Sequence, residues 1–305
     1  MKTADPALVL VPTGLEGALE CRALAPHLRA GGFDVQVGIQ HRRALDAAWP
    51  SLLDDVPVGL LDVQHGPSRY LVLSASDAFA RKLVVAAGRE RVIFRPTGLD
   101  AFRSYKRGYT RMYRSADRLI LRSRLEVAEL GDRPHRLVPS GARFGLPGGA
   151  RPGTDVVLFV SDDFLDFSAL QGWVSSAADA VRSCGREAML VGTDLAANRL
   201  TGFRFTDLHP DLLTGVVVMP ECDEVALVEA LGGTPIVYDP GSRCAELSPA
   251  WVQAHAICRT PKHLTAALAR SGRDPSPSWP TELSRIVCDP MTAQEWAAAF
   301  IEALN

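Results

Sequence analysis

VVVMPECDEVALVEALGGTPIVYD, residues 216–239, reads as a strand, a short acidic helix and a second strand. Val216–Met219 is an apolar, β-branched run that Pro220 stops. Val225, Val228 and Leu231 then recur at the three-residue spacing of a buried helical face, and Gly232-Gly233 breaks the helix. Pro235-Ile236-Val237-Tyr238 resumes as a strand. A strand, a helix and a strand in this order make one turn of a parallel α/β sheet. Glu221 sits at the strand-to-helix junction and Glu229 near the far end of the helix. Ligands of open parallel sheets bind outside the carboxyl ends of the strands, so a carboxylate at that junction is a candidate ligand group. The alternative is that Glu221, Asp223 and Glu224 are first-turn acids favoured by the helix dipole, with Glu229 on a solvated face.

The segment resembles the donor-site signature of GT-B glycosyltransferases, above all the retaining family 4, in which Glu-x7-Glu leads into a small-residue turn and a Gly-Thr-Pro-Val-Val-like strand. The matching residues are Glu221, Glu229, Ala230, Gly233, Thr234, Pro235, Ile236 and Val237. The resemblance implies that Glu221 works near the donor sugar's hydroxyls and that Glu229 binds the nucleotide ribose. A carboxylate accepts two hydrogen bonds from a diol, which an apolar side chain cannot.

Outward from this stretch, the chain is an ordinary globular sequence. Its 305 residues suffice for two domains at roughly 100–200 residues each. A net charge of −2 argues against bulk affinity for nucleic acid or anionic lipid. No stretch approaches the roughly 20 apolar residues of a membrane span. MKTADPALVLVPTG has too short an apolar core for a signal peptide and reads as a first strand. The six cysteines are scattered without metal spacing, so buried thiols in a reducing cytoplasm are the expectation.

In the first half, Ala7–Val11 reads as a strand, Thr13–Gly17 as a glycine-bearing loop and Ala18–Ala30 as a helix. Gly14 is a candidate acceptor contact. Glu16 sits where some sugar transferases similar to this fold carry a catalytic carboxylate, and is a candidate base; its alternative is an exposed acid of the first helical turn. Asp62-Val63-Gln64-His65-Gly66 looks like the family's Asp-Val-Val-His-x-His stretch, which makes His65 a second candidate for proton transfer near neutral pH. Ala101–Arg124 is strongly basic. Tyr105, Tyr109 and Tyr113 form one helical stripe and Arg107, Arg111, Arg114 and Arg118 another. Arg107 and Arg111 are candidate contacts for an anionic or lipid-linked acceptor, with peripheral membrane contact as one form of this; packed tyrosines under a solvated basic face are the plainer account.

Ala116–Ile120, Ser123 and Leu137-Val138-Pro139-Ser140-Gly141 follow the order of the passage that closes the family's N-terminal domain. Gly141 and Arg143 then fall among the donor-binding candidates. In the second half, Leu190-Val191-Gly192 matches the family's Val-Gly turn, and Pro240–Leu247 its Gly-Gly-x-x-Glu-Leu turn. The resemblance therefore assigns Gly192, Thr234, Ser242 and Arg243 to the donor, with backbone N–H groups or Arg243 at the diphosphate.

One departure matters. The family places an arginine and a lysine against the leaving diphosphate after the first C-terminal strand. Here the residues are Ser161-Asp162-Asp163-Phe164-Leu165-Asp166. Carboxylates near a desolvated diphosphate repel it, so either the neutralising charge comes from elsewhere, such as Arg143, Arg243, a helix N-terminus or a divalent ion on Asp162 and Asp163, or the donor is not the usual one. No metal site is expected, and no cofactor is required beyond the nucleotide-sugar donor.

The resemblance implies an α/β protein with two Rossmann-like domains facing a cleft, the GT-B arrangement. Residues 1–145 form the acceptor domain, 146–154 a Gly/Pro-rich linker, 155–290 the donor domain, and 291–305 a last helix that packs back on the first domain. The implied activity is a cytoplasmic glycosyltransferase of bacterial-type glycan, glycolipid or natural-product biosynthesis. A 2-epimerase, a glycerophosphate transferase and a non-catalytic binding relative are the alternatives, since one scaffold hosts many chemistries.

Overall fold

LVLVP at Leu8–Pro12 and VVLFV at Val156–Val160 are apolar at every position, the pattern of strands covered on both faces. In the computed structural model of the chain each is fully buried inside a parallel sheet. The structure describes residues 7–12, 15–39, 53, 56–61, 68–73, 77–95, 117–122, 126–127, 130, 134–146, 156–160, 167–192, 206, 209–220, 225–241, 257–271 and 291–305. In chain order the first elements are β1 (Leu8–Pro12), α1 (Leu15–Ala30), β2 (Val35–Ile39), β3 (Val58–Leu60), β4 (Arg69–Leu73), α2 (Asp77–Ala87), β5 (Val92–Arg95), β6 (Leu119–Leu121) and β7 (His135–Leu137). Then come β8 (Val156–Val160), α3 (Phe167–Ser183), β9 (Ala188–Gly192), β10 (Val216–Met219), α4 (Val225–Ala230), β11 (Thr234–Tyr238), β12 (Ile257–Cys258), α5 (Pro261–Ser271) and α6 (Ala293–Leu304). The fold is α/β, with two Rossmann-like units.

The first unit comprises Met1–Gly145 and Arg285–Asn305, the second Leu146–Ser284. The first holds a seven-stranded sheet in the order β3-β2-β1-β4-β5-β6-β7, paired in parallel throughout. From β1 the chain moves outward to β2 and β3, then returns to β4 on the other side, so the order reverses between β1 and β4. The second holds a five-stranded parallel sheet in the order β12-β11-β10-β8-β9, which reverses between β8 and β10.

The register shows why β10–α4–β11 organises the second unit. Val216 pairs with both Val156 and Thr234, so β10 is the shared neighbour of β8 and β11. Val225, Leu227 and Val228 of α4 are buried, and so is Leu231 just beyond it. Gly233 is needed for closeness: a Cβ there would lie 2.1 Å from the Leu213 carbonyl oxygen and 2.8 Å from Val228 Cγ1. The glycine of the Gly-Thr-Pro match thus has a packing reason of its own.

In the first unit, Leu10, Leu24, Leu28, Ile39, Leu71 and Ile93 form a core that α6 completes. Thr292 caps α6: its Oγ1 accepts from the Glu295 N–H at 3.2 Å, and Glu295 Oε2 accepts from the Thr292 N–H at 2.8 Å. Trp296, Phe300 and Leu304 recur at four-residue spacing and are all buried. Trp296 Nε1 donates to the Pro139 carbonyl at 2.9 Å, and its ring meets Phe300 edge-on at 5.3 Å.

Local differences from the sequence reading have local causes. α1 starts at Leu15 rather than Ala18, because its first turn is tied down by contacts described below. The basic stripe does not reach Arg118 as a helix: Arg118 precedes strand β6 and donates to the Leu304 carbonyl at 3.4 Å and to Asn305 O at 3.2 Å. Thr206 makes an isolated parallel bridge to Val191, and Pro210–Thr214 forms a 3-10 turn before β10. Among the described residues no helix is long and apolar enough to cross a membrane. Cys21, Cys184 and Cys258 are free thiols, and burial, seconded by the Glu20 charge, pushes the Cys21 thiol well up.

Trp296→Ala removes the largest fully buried side chain among the described residues and is expected to cost the first unit about 3–5 kcal/mol. Hydrogen exchange followed by mass spectrometry would show faster exchange in β1, β5 and α1 peptides while α3 and β8 peptides keep their protection; equal exchange throughout would contradict this placement of α6.

Candidate functional site

At the carboxyl edge of the first sheet, β5 ends in Arg95 and Arg122 follows β6 directly. Glu16 and Glu20 lie one turn apart on α1 and so share a face. Adjacent strand ends lie about 4.8 Å apart, which lets two arginines meet two glutamates of one helix. Arg95 Nε donates to Glu20 Oε2 and Arg95 Nη2 to Glu20 Oε1, both at 2.7 Å, with neither side chain exposed. The remaining Arg95 donors reach the Val138 carbonyl at 2.9 Å and the Pro139 carbonyl at 2.8 Å. The guanidinium also stacks 4.9 Å from the Phe300 ring centroid. Burial alone would raise the Glu20 carboxyl, but the Arg95 charge and hydrogen bond, the Gly141 N–H and the Arg122 charge together hold it below the usual range.

Arg122 repeats the arrangement nearer the surface. Its Nη1 donates to Glu16 Oε1 at 2.9 Å and Oε2 at 3.0 Å, and its Nε to Glu126 Oε1 at 2.8 Å. Ser140 Oγ donates to Glu16 Oε1 at 2.9 Å. Burial would lower the Arg122 pKa, but the charges of Glu126 and Glu16 raise it above its ordinary value. Three carboxylates therefore share two guanidiniums at this edge, and neither arginine is held ready for a phosphate.

These contacts give three of the candidate residues a structural role. Glu16 is neither an exposed first-turn acid nor an unencumbered base. It is 6% exposed and accepts hydrogen bonds from Arg122 and Ser140. Gly141 spends its N–H on Glu20 Oε1 at 3.0 Å, and a Cβ there would sit 2.1 Å from Trp296 Cε2, so packing accounts for this glycine. Arg143 is exposed, lies 4.7 Å over the Phe144 ring and donates to the Met291 carbonyl at 3.1 Å, tying down the approach to α6.

In the second unit, Gly192 ends β9 opposite Val160, at the carboxyl edge where the match places it. Thr234 does not share that edge. It opens β11 and donates its N–H to the Gly215 carbonyl at 2.8 Å, so it lies at the amino ends of the strands, remote from the ligand side. Glu229 is half-buried on α4, one residue before the helix ends. Gly14, His65, Arg107, Arg111, Asp162, Asp163, Glu221, Ser242 and Arg243 lie outside the described residues. Among the described residues no cluster of three or more His, Cys, Asp or Glu is placed to hold a metal ion.

The edge also holds groups that sequence reading passed over. Asp239 directly follows β11 and Arg259 directly follows β12; Arg259 Nη1 donates to Asp239 Oδ2 at 2.8 Å. Trp173 Nε1 donates to the Tyr238 carbonyl at 2.7 Å, and Ser176 Oγ shares a hydrogen bond with the Tyr238 hydroxyl at 2.8 Å, fixing the end of β11 against α3. The missed signal is a charge placed directly after an apolar strand, as in VIFR and LILR. Such a charge stands at the sheet's edge and, when buried, requires a partner.

No sequence-family model and no curated protein matches the chain. Solved structures do resemble it. The UDP-GlcNAc 2-epimerase of Methanocaldococcus jannaschii, in complex with UDP-GlcNAc and UDP, superposes with a TM-score of 0.66 over 98% of this chain and 99% of that one, at 9% identity. The glycotransferase of kitacinnamycin gives 0.57 over 98% of each chain at 11% identity. The wall teichoic acid polymerase TagF gives 0.57 over 97% of this chain and 86% of that one at 8% identity. The fold is that of the GT-B enzymes. Identities this low speak for the GT-B backbone alone, and the same backbone carries epimerases and transferases.

The buried pair also sets a pH response. Because the folded Glu20 carboxyl lies below its ordinary value of 4.5, the stability it contributes is fully present above about pH 4.5 and is lost as pH falls through the lowered folded value. Glu20→Gln is expected to cost about 3–5 kcal/mol at pH 7 by leaving Arg95 unpaired, and to show a shallower loss on acidification. Urea melts at pH 7 and pH 4 check both; parallel pH dependence in the two proteins would contradict the assignment.

Proposed function

We propose that the chain is a glycosyltransferase that moves a sugar from a nucleotide-sugar donor, held by the second unit, to an acceptor held by the first. The observation that carries this reading is the position of β10. It borders the point where the second sheet reverses its order, and Glu221 follows its last residue by two positions. Glu221 thus follows a strand end at the edge where such folds bind ligands. In this reading Glu221 meets the donor sugar, Glu229 the ribose, and Gly192, Ser242 and Arg243 the diphosphate region. Gly14, Arg107 and Arg111 face the acceptor, which is a small molecule, a glycan or a lipid-linked sugar.

The commitment of Glu16 to Arg122 favours transfer over epimerisation. An epimerase moves protons at the reacting carbon, and the grip of Arg122 makes Glu16 a poor vehicle for that. A transferase gains its rate from positioning and from stabilising the departing diphosphate. Glu16 then acts as a positioning residue that holds the end of β6 and Ser140 in place. Retention of configuration is the outcome this favours, because an inverting enzyme would need His65 as its base.

Isothermal titration of the full chain with UDP, GDP, dTDP, CDP and ADP, each with and without magnesium, tests the donor site. One nucleotide is expected to bind selectively, and Glu229→Ala to lose that binding. Absence of binding by every nucleotide under both conditions would overturn the reading.

A further inference from the structure

In the proposed donor site Asp162 and Asp163 stand where the resemblance expects an arginine and a lysine against the leaving diphosphate, so positive charge beyond Arg243 has to come from elsewhere. Of the described residues that end or directly follow strands β8–β12, one is a cation, Arg259. Its placement is fixed. Arg259 Nη1 donates to Asp239 Oδ2 at 2.8 Å and to the Asp239 carbonyl at 3.3 Å, while the Asp239 N–H donates to the Cys258 carbonyl at 2.9 Å. The pair is lopsided: the Asp239 side chain is 1% exposed and that of Arg259 35%. Nε and Nη2 of Arg259 make no hydrogen bond to any described residue. Those two nitrogens form the side-on fork of a guanidinium, which matches two oxygens of a phosphate.

We propose that Arg259, aimed by Asp239, is a cation that receives the donor's diphosphate. Asp239 sits at the end of β11, the strand next to β10, so the Arg259 guanidinium is drawn inward from the edge strand toward the strand end that Glu221 follows. The buried carboxylate restrains the side chain before any ligand arrives, which reduces the rotamer entropy lost on binding. It also offsets part of the charge, so Arg259 contributes a directed two-pronged contact more than a strong field. A lysine would keep the charge and lose the fork.

This inference rests on the donor-site reading, and one set of titrations separates the two. The nucleoside diphosphate that binds best among UDP, GDP, dTDP, CDP and ADP is compared with its own nucleoside on the full-length wild type, Arg259→Met, Arg259→Lys, the double variant Asp239→Asn/Arg259→Met, and Glu229→Ala. Arg259→Met is expected to weaken the diphosphate by roughly tenfold to a hundredfold and to leave the nucleoside unchanged. The double variant strands no buried charge and so keeps its fold by circular dichroism; it should show the same selective loss, and Arg259→Lys a smaller one. Wild-type affinity for the diphosphate in a folded Arg259 variant, with binding lost in Glu229→Ala, would overturn the role of Arg259 and leave the donor site standing. Equal weakening of diphosphate and nucleoside would reduce Arg259 to a structural part, again overturning the proposal. Failure of the wild type to bind any nucleotide would remove the donor reading and this one together.

Discussion

The first unit depends on a guanidinium with no access to water. Arg95 and Glu20 are both fully buried, and an unpaired charge in that position would carry a desolvation penalty of several kcal/mol. Every neighbour is arranged to meet that constraint. The carboxylate takes two hydrogen bonds from Arg95 and one from the Gly141 N–H, while the guanidinium reaches on to the Val138 and Pro139 carbonyls. Pro139 in turn accepts from Trp296, and Phe300 lies under the guanidinium. One ion pair thus joins α1, the end of β5, the segment after β7 and the last helix. These parts are far apart in sequence, which is why residues 285–305 belong to the first unit although they follow the second.

The second unit is held differently. Its core is an apolar layer of Val156, Leu158, Val160, Leu170, Val174 and Ile236 between sheet and helices. At the carboxyl end of β11, Trp173 fixes the Tyr238 carbonyl and Arg259 fixes Asp239. This difference bears on function. Among the described residues, Arg95 and Arg122 in the first unit are taken up by carboxylates, whereas in the second the Arg259 guanidinium is oriented and keeps two nitrogens unengaged by described residues. A fold of this kind permits many reactions, and the chemistry follows from which strand-end groups remain uncommitted.

The fold was legible in the chain because it rests on local patterns. Strand Val216–Met219 was readable to the residue, and β11 and α6 to within one or two, since runs of Val, Leu and Ile bounded by Gly and Pro have few other uses. The alternation of strands and helices was legible, whereas the strand order and its reversal appeared only in the folded sheets. The roles of single residues were less legible. Gly141, Gly233 and Thr234 match a donor signature in sequence, yet packing accounts for both glycines and the threonine stands at the opposite end of the sheet.

What the sequence alone determined is the architecture: two parallel α/β units, and a strand–helix–strand carrying Glu221 and Glu229 in the second. What only the tertiary structure decided is which charges are spent and which remain. Glu16, Glu20, Arg95, Arg122 and Ser140 span well over a hundred positions of the chain, and no spacing rule relates them. Hydrophobic periodicity is written between near neighbours, so it can be read along one dimension. The partner of a buried charge is chosen by which strand ends the sheet brings side by side, and that exists only after folding.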